Sequence, residues 1–231
     1  MKQTLVILSS VFALLASCLS ATAQDGAMEL QAFQQAAGDR SVLFRGKAAE
    51  PYTVQAEGHP YWYGDNYLPG DIVIEDRLYQ GLPILIDACA HRALVQLSSG
   101  IFSVSLSPAE VQSIRLDGKH FAGSLLQEGL PEGFYEVIGD GPEQVWKRVD
   151  KFLTTVNETT RIYQYYSTRL SWYFRDAEGG FTRIRDRAGL LRQFPPERRR
   201  FIRQEIKRMK ADRSDIPFET WCQAALQAAA L

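Results

Sequence analysis

The sequence predicts a mainly β fold with a helical C-terminus: an antiparallel β-sandwich or open barrel closed by a C-terminal helical hairpin. Three observations predict it. Short β-rich runs follow one another between residues 51 and 184, turn chemistry separates them at close spacing, and the apolar period becomes helical after 185. No helix-length segment alternates with the strands, which argues against a doubly wound α/β fold.

Four stretches organise the chain. Residues 1–23 read as a signal peptide: Lys2 supplies a positive charge and 5–16 is apolar apart from Ser9 and Ser10. That length suits a signal core and is too short to span a bilayer. Two processing outcomes stay open. Ala21-Thr22-Ala23 is a cleavage site of the A-x-A kind, whereas Leu15-Ala16-Ser17-Cys18 resembles a lipobox in which Cys18 would be lipidated. Both predict export, periplasmic or secreted in the first case and membrane-anchored as a lipoprotein in the second. Residues 24–50 are rich in Ala and Gln and read as a lead-in, with a short helix over 28–37.

The β-rich stretch, 51–184, is expected to hold strands at 71–75, 78–79, 84–87, 93–97, 101–106, 111–116, 134–138, 161–166, 169–174 and 181–184. Asp76-Arg77 and Gly81-Leu82-Pro83 read as breaks. Asp117-Gly118 is a tight hairpin turn, since glycine accepts positive φ without steric cost, and Glu178-Gly179-Gly180 closes a second hairpin. Tyr163, Tyr165 and Tyr166, with Trp172, Tyr173 and Phe174, put rings on both faces of their strands. The helical tail is expected to cover one of those faces.

Residues 185–231 form the tail. A short helix over 186–194 stops before Pro195, and Pro196 opens a second, because proline in the first turn loses no hydrogen bond. Ile202, Ile206 and Met209 share one face. After Ser214 to Pro217, a last helix carries Phe218, Trp221, Cys222, Ala225 and Leu226 inward.

Composition bounds the function. Without residues 1–23 the chain has 25 basic and 27 acidic residues, so no global charge argues for nucleic acid. Cys89 and Cys222 lie far apart in sequence and read as separate buried thiols, and His59, His91 and His120 lack ligand spacing, so no metal site is predicted. The chain lacks dinucleotide, Walker, G-x-S-x-G and H-E-x-x-H patterns, so no cofactor and no catalytic residue are predicted.

Three local features invite function. Tyr61, Trp62, Tyr63 and Tyr67, beside His59 and Asp65, form the densest aromatic stretch; exposed, it would suit a sugar or peptide, and packed, it would be core. Residues 183–213 hold twelve Arg or Lys against four acids, whereas 24–182 carry a net charge of −8. Arg199, Arg203 and Lys207 on the helix after Pro196 are the candidate contacts for an anionic surface, with docking on the acidic β body as the simpler account. Asp87, Cys89 and His91 suggest catalysis, but i and i+4 on a strand stand about 13 Å apart, so only a turn at 88–90 would bring Asp87 and His91 together.

Gly58-His59-Pro60-Tyr61-Trp62, then Gly70 to Tyr79, Leu85-Ile86-Asp87 and Gly133 to Ile138 carry a resemblance. From about residue 50 to the C-terminus the chain resembles a group of uncharacterised exported proteins of Bacteroidota-type bacteria. It departs from that pattern at Ile86, where the group has Tyr, and at Asp76-Arg77, where it has a glycine-containing turn. The resemblance implies export, a β-rich fold and a helical tail, and no catalytic residues. The expected role is therefore a non-catalytic envelope or secreted protein that binds or scaffolds. Its expected partners are an envelope glycan, an anionic lipid or another envelope protein. The alternative is a hydrolase acting on envelope or dietary glycan or peptide near His59, Asp65 or Asp87.

Overall fold

A computed structural model describes residues 43, 46–97, 100–124, 129–158, 161–211 and 213–230, most of which belong to the compact unit Gly46–Leu231. The signal segment with Cys18 and Ala23 and the helix expected over 28–37 lie outside the described residues.

Alternating side chains and closely spaced turns produce strands that pair with their neighbours. They are β1 (Lys47–Ala48), β2 (Leu68–Ile74), β3 (Arg77–Asp87), β4 (Arg92–Gln96), β5 (Ser103–Leu106) and β6 (Val111–Leu116). Then follow β7 (Lys119–Gly123), β8 (Phe134–Ile138), β9 (Gln144–Asn157), β10 (Ile162–Arg175) and β11 (Phe181–Ile184). All join one antiparallel sheet in the order β1-β5-β4-β3-β2-β6-β7-β8-β9-β10-β11. The expected antiparallel β body with a helical C-terminus is seen, its strands joined in one large open sheet.

The hairpin turns show how sequence sets register. Asp117 (φ 51°) and Gly118 (φ 69°) make the tight β6–β7 turn. Glu75 (φ 48°) and Asp76 (φ 60°) make the same kind of turn between β2 and β3 without a glycine. Gln112 compensates there: its side chain accepts from the Asp76 amide at 2.9 Å and donates to the Asp76 carboxylate at 2.9 Å. Gly81-Leu82-Pro83 does not break the chain. β3 runs straight through it, and Gly81 (φ +65°) sits in a bulge where the pairing with β2 shifts between Gly70 and Ile72.

β9 is the strand that composition conceals. Lys147 and Asp150 are buried within it beside Val145 and Val149, so its pattern is not apolar alternation. It forms a 14-residue ladder with β10, from Ile162↔Asn157 to Arg175↔Gln144. β8 pairs with β9 only from Val145 to Lys147, so the outer half of the hairpin projects past its neighbour.

The tail is α1 (Arg187–Leu191), α2 (Pro196–Arg208) and α3 (Phe218–Ala229). Asp186 caps α1 by accepting from the Gly189 amide at 2.6 Å. Ile202, Ile206, Trp221, Cys222, Ala225 and Leu226 share one core with Ile138, Val145, Phe174 and Ile184 of the sheet. The tail thus covers Trp172 and Phe174, whose rings meet Phe218 and Phe194. Cys89 and Cys222 are both free thiols, half-buried and buried. No helix of the described residues is long and apolar enough to cross a membrane.

Candidate functional site

Residues 52–67 strap the β3–β4 end of the sheet to the projecting β9–β10 hairpin. Backbone bonds hold the strap at both ends. The Trp62 amide donates to Ile86 O (2.9 Å), and the Ala88 and Cys89 amides donate to Pro60 O (3.0 and 3.1 Å). Glu57 forms a parallel bridge with Tyr165, donating to Gln164 O (2.9 Å) and accepting from the Tyr166 amide (3.0 Å).

Asp87 is fully buried at the first of these junctions, and such a carboxylate persists only if its oxygens are satisfied. The Tyr52 hydroxyl lies 3.0 and 2.9 Å from its two oxygens. The amides of Cys89 and Ala90 donate to Oδ1 at 3.0 and 2.9 Å, and Arg92 Nε donates to Oδ2 at 2.9 Å. Burial, with the Asp87 charge next, pushes the Tyr52 phenol well above its ordinary range, so it stays a donor.

The turn at 88–90 does form, yet His91 faces elsewhere. Its Nε2 lies 3.1 Å from Asp150 Oδ1 and 2.9 Å from Arg148 Nη2. Burial, reinforced by the Arg148 charge, lowers the His91 pKa against the opposing pull of Asp150. A neutral His91 that accepts from Arg148 has its Nε2 lone pair committed. Asp150 is equally engaged, bonded by Arg148 Nε at 2.7 Å and by Arg169 Nη2 at 3.2 Å. The pair has the reach of an acid–base couple, but His91 Nε2 and both Asp150 oxygens are bonded to arginines.

A second network ties the tail to the sheet. Lys119 Nζ contacts Glu136 (2.5 Å) and Glu219 (2.8 Å), and Lys147 Nζ contacts Glu136 (2.9 Å) and Glu219. Tyr63 adds a hydrogen bond to Glu136 at 3.2 Å. Burial alone would raise the Glu219 carboxyl, but the lysine hydrogen bonds outweigh it and hold the group down at about 2. These charges join strands β7, β8 and β9 to the first turn of α3.

The aromatic stretch does not converge on one point. Trp62 is 7% exposed and meets the Phe121 ring edge-on at 5.3 Å, lining a cavity of about 10 Å3. Tyr67 is half-buried and bonds Ser103 Oγ at 2.6 Å. Asp65 is exposed, while His59 is half-buried and stacks on Tyr61 at 6.2 Å. Tyr61 also pairs with Asp87 through a backbone bridge and lies edge-on to Tyr52.

The outer half of β10 carries the surface that sequence reasoning placed beneath the tail. The strap, not the tail, lies against it: Tyr52 meets Tyr166 edge-on at 6.2 Å. Tyr163 and Tyr165 stack with an interplanar angle of 28°, and the Arg161 guanidinium lies 4.9 Å from the Tyr163 ring centre. A recess of about 450 Å3 opens beside them, lined by Gln55, Ala56, Glu57, Ile162, Tyr163 and Gln164. Its signal in the sequence was the Tyr163-x-Tyr165 spacing, which places two rings on one strand face. The part taken by 55–57 had no such signal.

Of the basic candidates, Arg199 turns inward and donates to Phe194 O at 2.6 Å and to Arg192 O at 3.2 Å. Arg203 and Lys207 are exposed. No family model, curated protein or solved structure matches the chain.

Proposed function

We propose that the chain is an exported envelope or secreted protein that binds rather than catalyses, and that it takes an envelope glycan in the recess between 55–57 and β10. The observation that carries this reading is the distribution of polar chemistry. The carboxylates nearest His91, Asp87 and Asp150, are committed to arginines, amides and a tyrosine, whereas Tyr163, Gln55, Glu57 and Gln164 line an open recess, with the Tyr165 ring stacked on Tyr163. Flat rings stack on the apolar faces of sugars while amide and carboxylate groups orient hydroxyls. Export rests on the signal-like residues 1–23 and on the resemblance to exported Bacteroidota-type proteins.

The test is calorimetric titration with soluble peptidoglycan disaccharide fragments and with neutral oligosaccharides. Saturable binding is expected, weakened about tenfold or more by Tyr163→Ala with Tyr165→Ala, since each ring contributes about 0.5–1.5 kcal/mol. Binding that survives loss of both rings would move the site elsewhere. Glycan cleavage abolished by His91→Ala would instead establish the hydrolase reading.

A further inference from the structure

The cations of α2 divide into two sets with different surroundings. Arg198 grips Glu143 with both terminal nitrogens (2.8 and 2.6 Å) and donates to Ala229 O at 3.0 Å. Arg199 closes on Phe194 O, and Arg208 pairs with Glu205 at 2.7 Å. Arg200, Arg203 and Lys207 are exposed, and their side chains make no hydrogen bond or ion pair within the described residues.

Geometry sets this second set in a row. At 3.6 residues per turn, Arg200, Arg203 and Lys207 fall within about 60° of one another around the helix axis and span about 10 Å along it. All three are exposed, whereas Ile202 and Ile206 of the same helix are buried. Helix electrostatics do not account for them. Cations stabilise the last turn, where Lys207 stands, but Arg200 and Arg203 lie in the helix interior, beyond the reach of the terminal charges. Unlike Arg198, neither makes an ion pair with an acid within the described residues.

We propose that this outer face of α2 docks on an anionic phospholipid surface through Arg200, Arg203 and Lys207. A convex helix bearing three uncompensated cations presents its charge to a plane rather than into a groove. Glu197 is the one acid on that face without an ion pair in the described residues, and Glu205 is engaged by Arg208. This surface is separate from the recess at β10 and does not depend on the glycan reading.

The experiment is co-sedimentation of the purified chain with sucrose-loaded vesicles of phosphatidylcholine, with and without about one third phosphatidylglycerol. Partitioning into the anionic vesicles alone is expected, and it should collapse as salt screens the charges. Arg200→Gln, Arg203→Gln and Lys207→Gln together should weaken it about 100-fold, and reversal to Glu should abolish it. Arg115→Glu, on an exposed strand position far along the sheet, should leave it unchanged. Unaltered thermal melts would show that the variants fold. Equal partitioning of wild type and triple variant would overturn the proposal. So would failure of the wild type to bind anionic vesicles at low salt, which would leave an acidic protein or bulk solvent as what this face meets.

Discussion

Replacing Glu219 by Gln tests whether the four-membered charge network fastens the tail to the sheet. The Glu219 carboxyl falls from an ordinary value of 4.5 to about 2 because Lys119 and Lys147 bond it against the penalty of burial. A shift of that size corresponds to roughly 3 kcal/mol. The side chain is 32% exposed, so solvent screening reduces the expected contribution to about 1–2 kcal/mol. Because the folded group titrates below the unfolded one, the stabilisation is complete above about pH 4.5 and is lost as the pH falls toward 2. For a domain of this size the loss corresponds to a Tm lower by about 2–8 °C at neutral pH. Thermal melts followed by circular dichroism at neutral pH and near pH 2 would measure it. Wild type and Glu219→Gln should differ at neutral pH and converge in acid. A difference that persists undiminished in acid would refute the electrostatic account, and no difference at neutral pH would show that the ion pairs offset only their own desolvation.

Other perturbations address the remaining junctions. Tyr52→Phe removes the hydroxyl shared by both Asp87 oxygens and should destabilise the chain by about 1–2 kcal/mol in urea titrations; an unchanged midpoint would mean that Arg92 and the two amides suffice. Gly81→Ala should cost about 1–2 kcal/mol although nothing lies within 4 Å of the added methyl, because the strain is in the backbone at φ +65°. A neutral or stabilising result would show that the bulge relaxes. Burial, with Glu219 nearby, pushes the Cys222 thiol far up, so in a Cys89→Ser variant it should resist a disulfide reagent at about pH 8 until urea is added. Rapid labelling without urea would mean that α3 lifts from the sheet.

What the residues disclosed depended on whether local chemistry and tertiary surroundings agreed. Val111–Leu116 and Phe181–Ile184 carry β-branched or aromatic residues beside glycine-bearing turns, and their bounds were readable. The helical tail was readable for the same reason, with Pro196 opening α2 and Ile202 and Ile206 facing inward. β9 was not, because its buried Lys147 is satisfied by Glu136 and Glu219, and its buried Asp150 by Arg169 and His91 from distant positions as well as by neighbouring Arg148. Gly81 read as a break because its role in a bulge depends on the facing strand. The aromatic stretch 59–67 was conspicuous by composition, yet Trp62 serves the core, while the recess draws on 55–57, which composition leaves unmarked.

The projecting hairpin divides the sheet into parts of unequal permanence. From residue 148 outward, β9 has β10 as its sole strand partner among the described residues, with one added bond from the Lys151 amide to Ala88 O. Few ladders must break to release that end, so its amides should exchange with solvent through small openings while those of β6 to β8 wait for global unfolding. Glu57 then acts as a latch: its two backbone bonds to β10 couple any opening of the hairpin to loosening of the strap that walls the recess. A ligand seated between strap and hairpin would bind the latched state alone and would slow exchange in both, tying occupancy of the recess to the protection of a ladder several residues away.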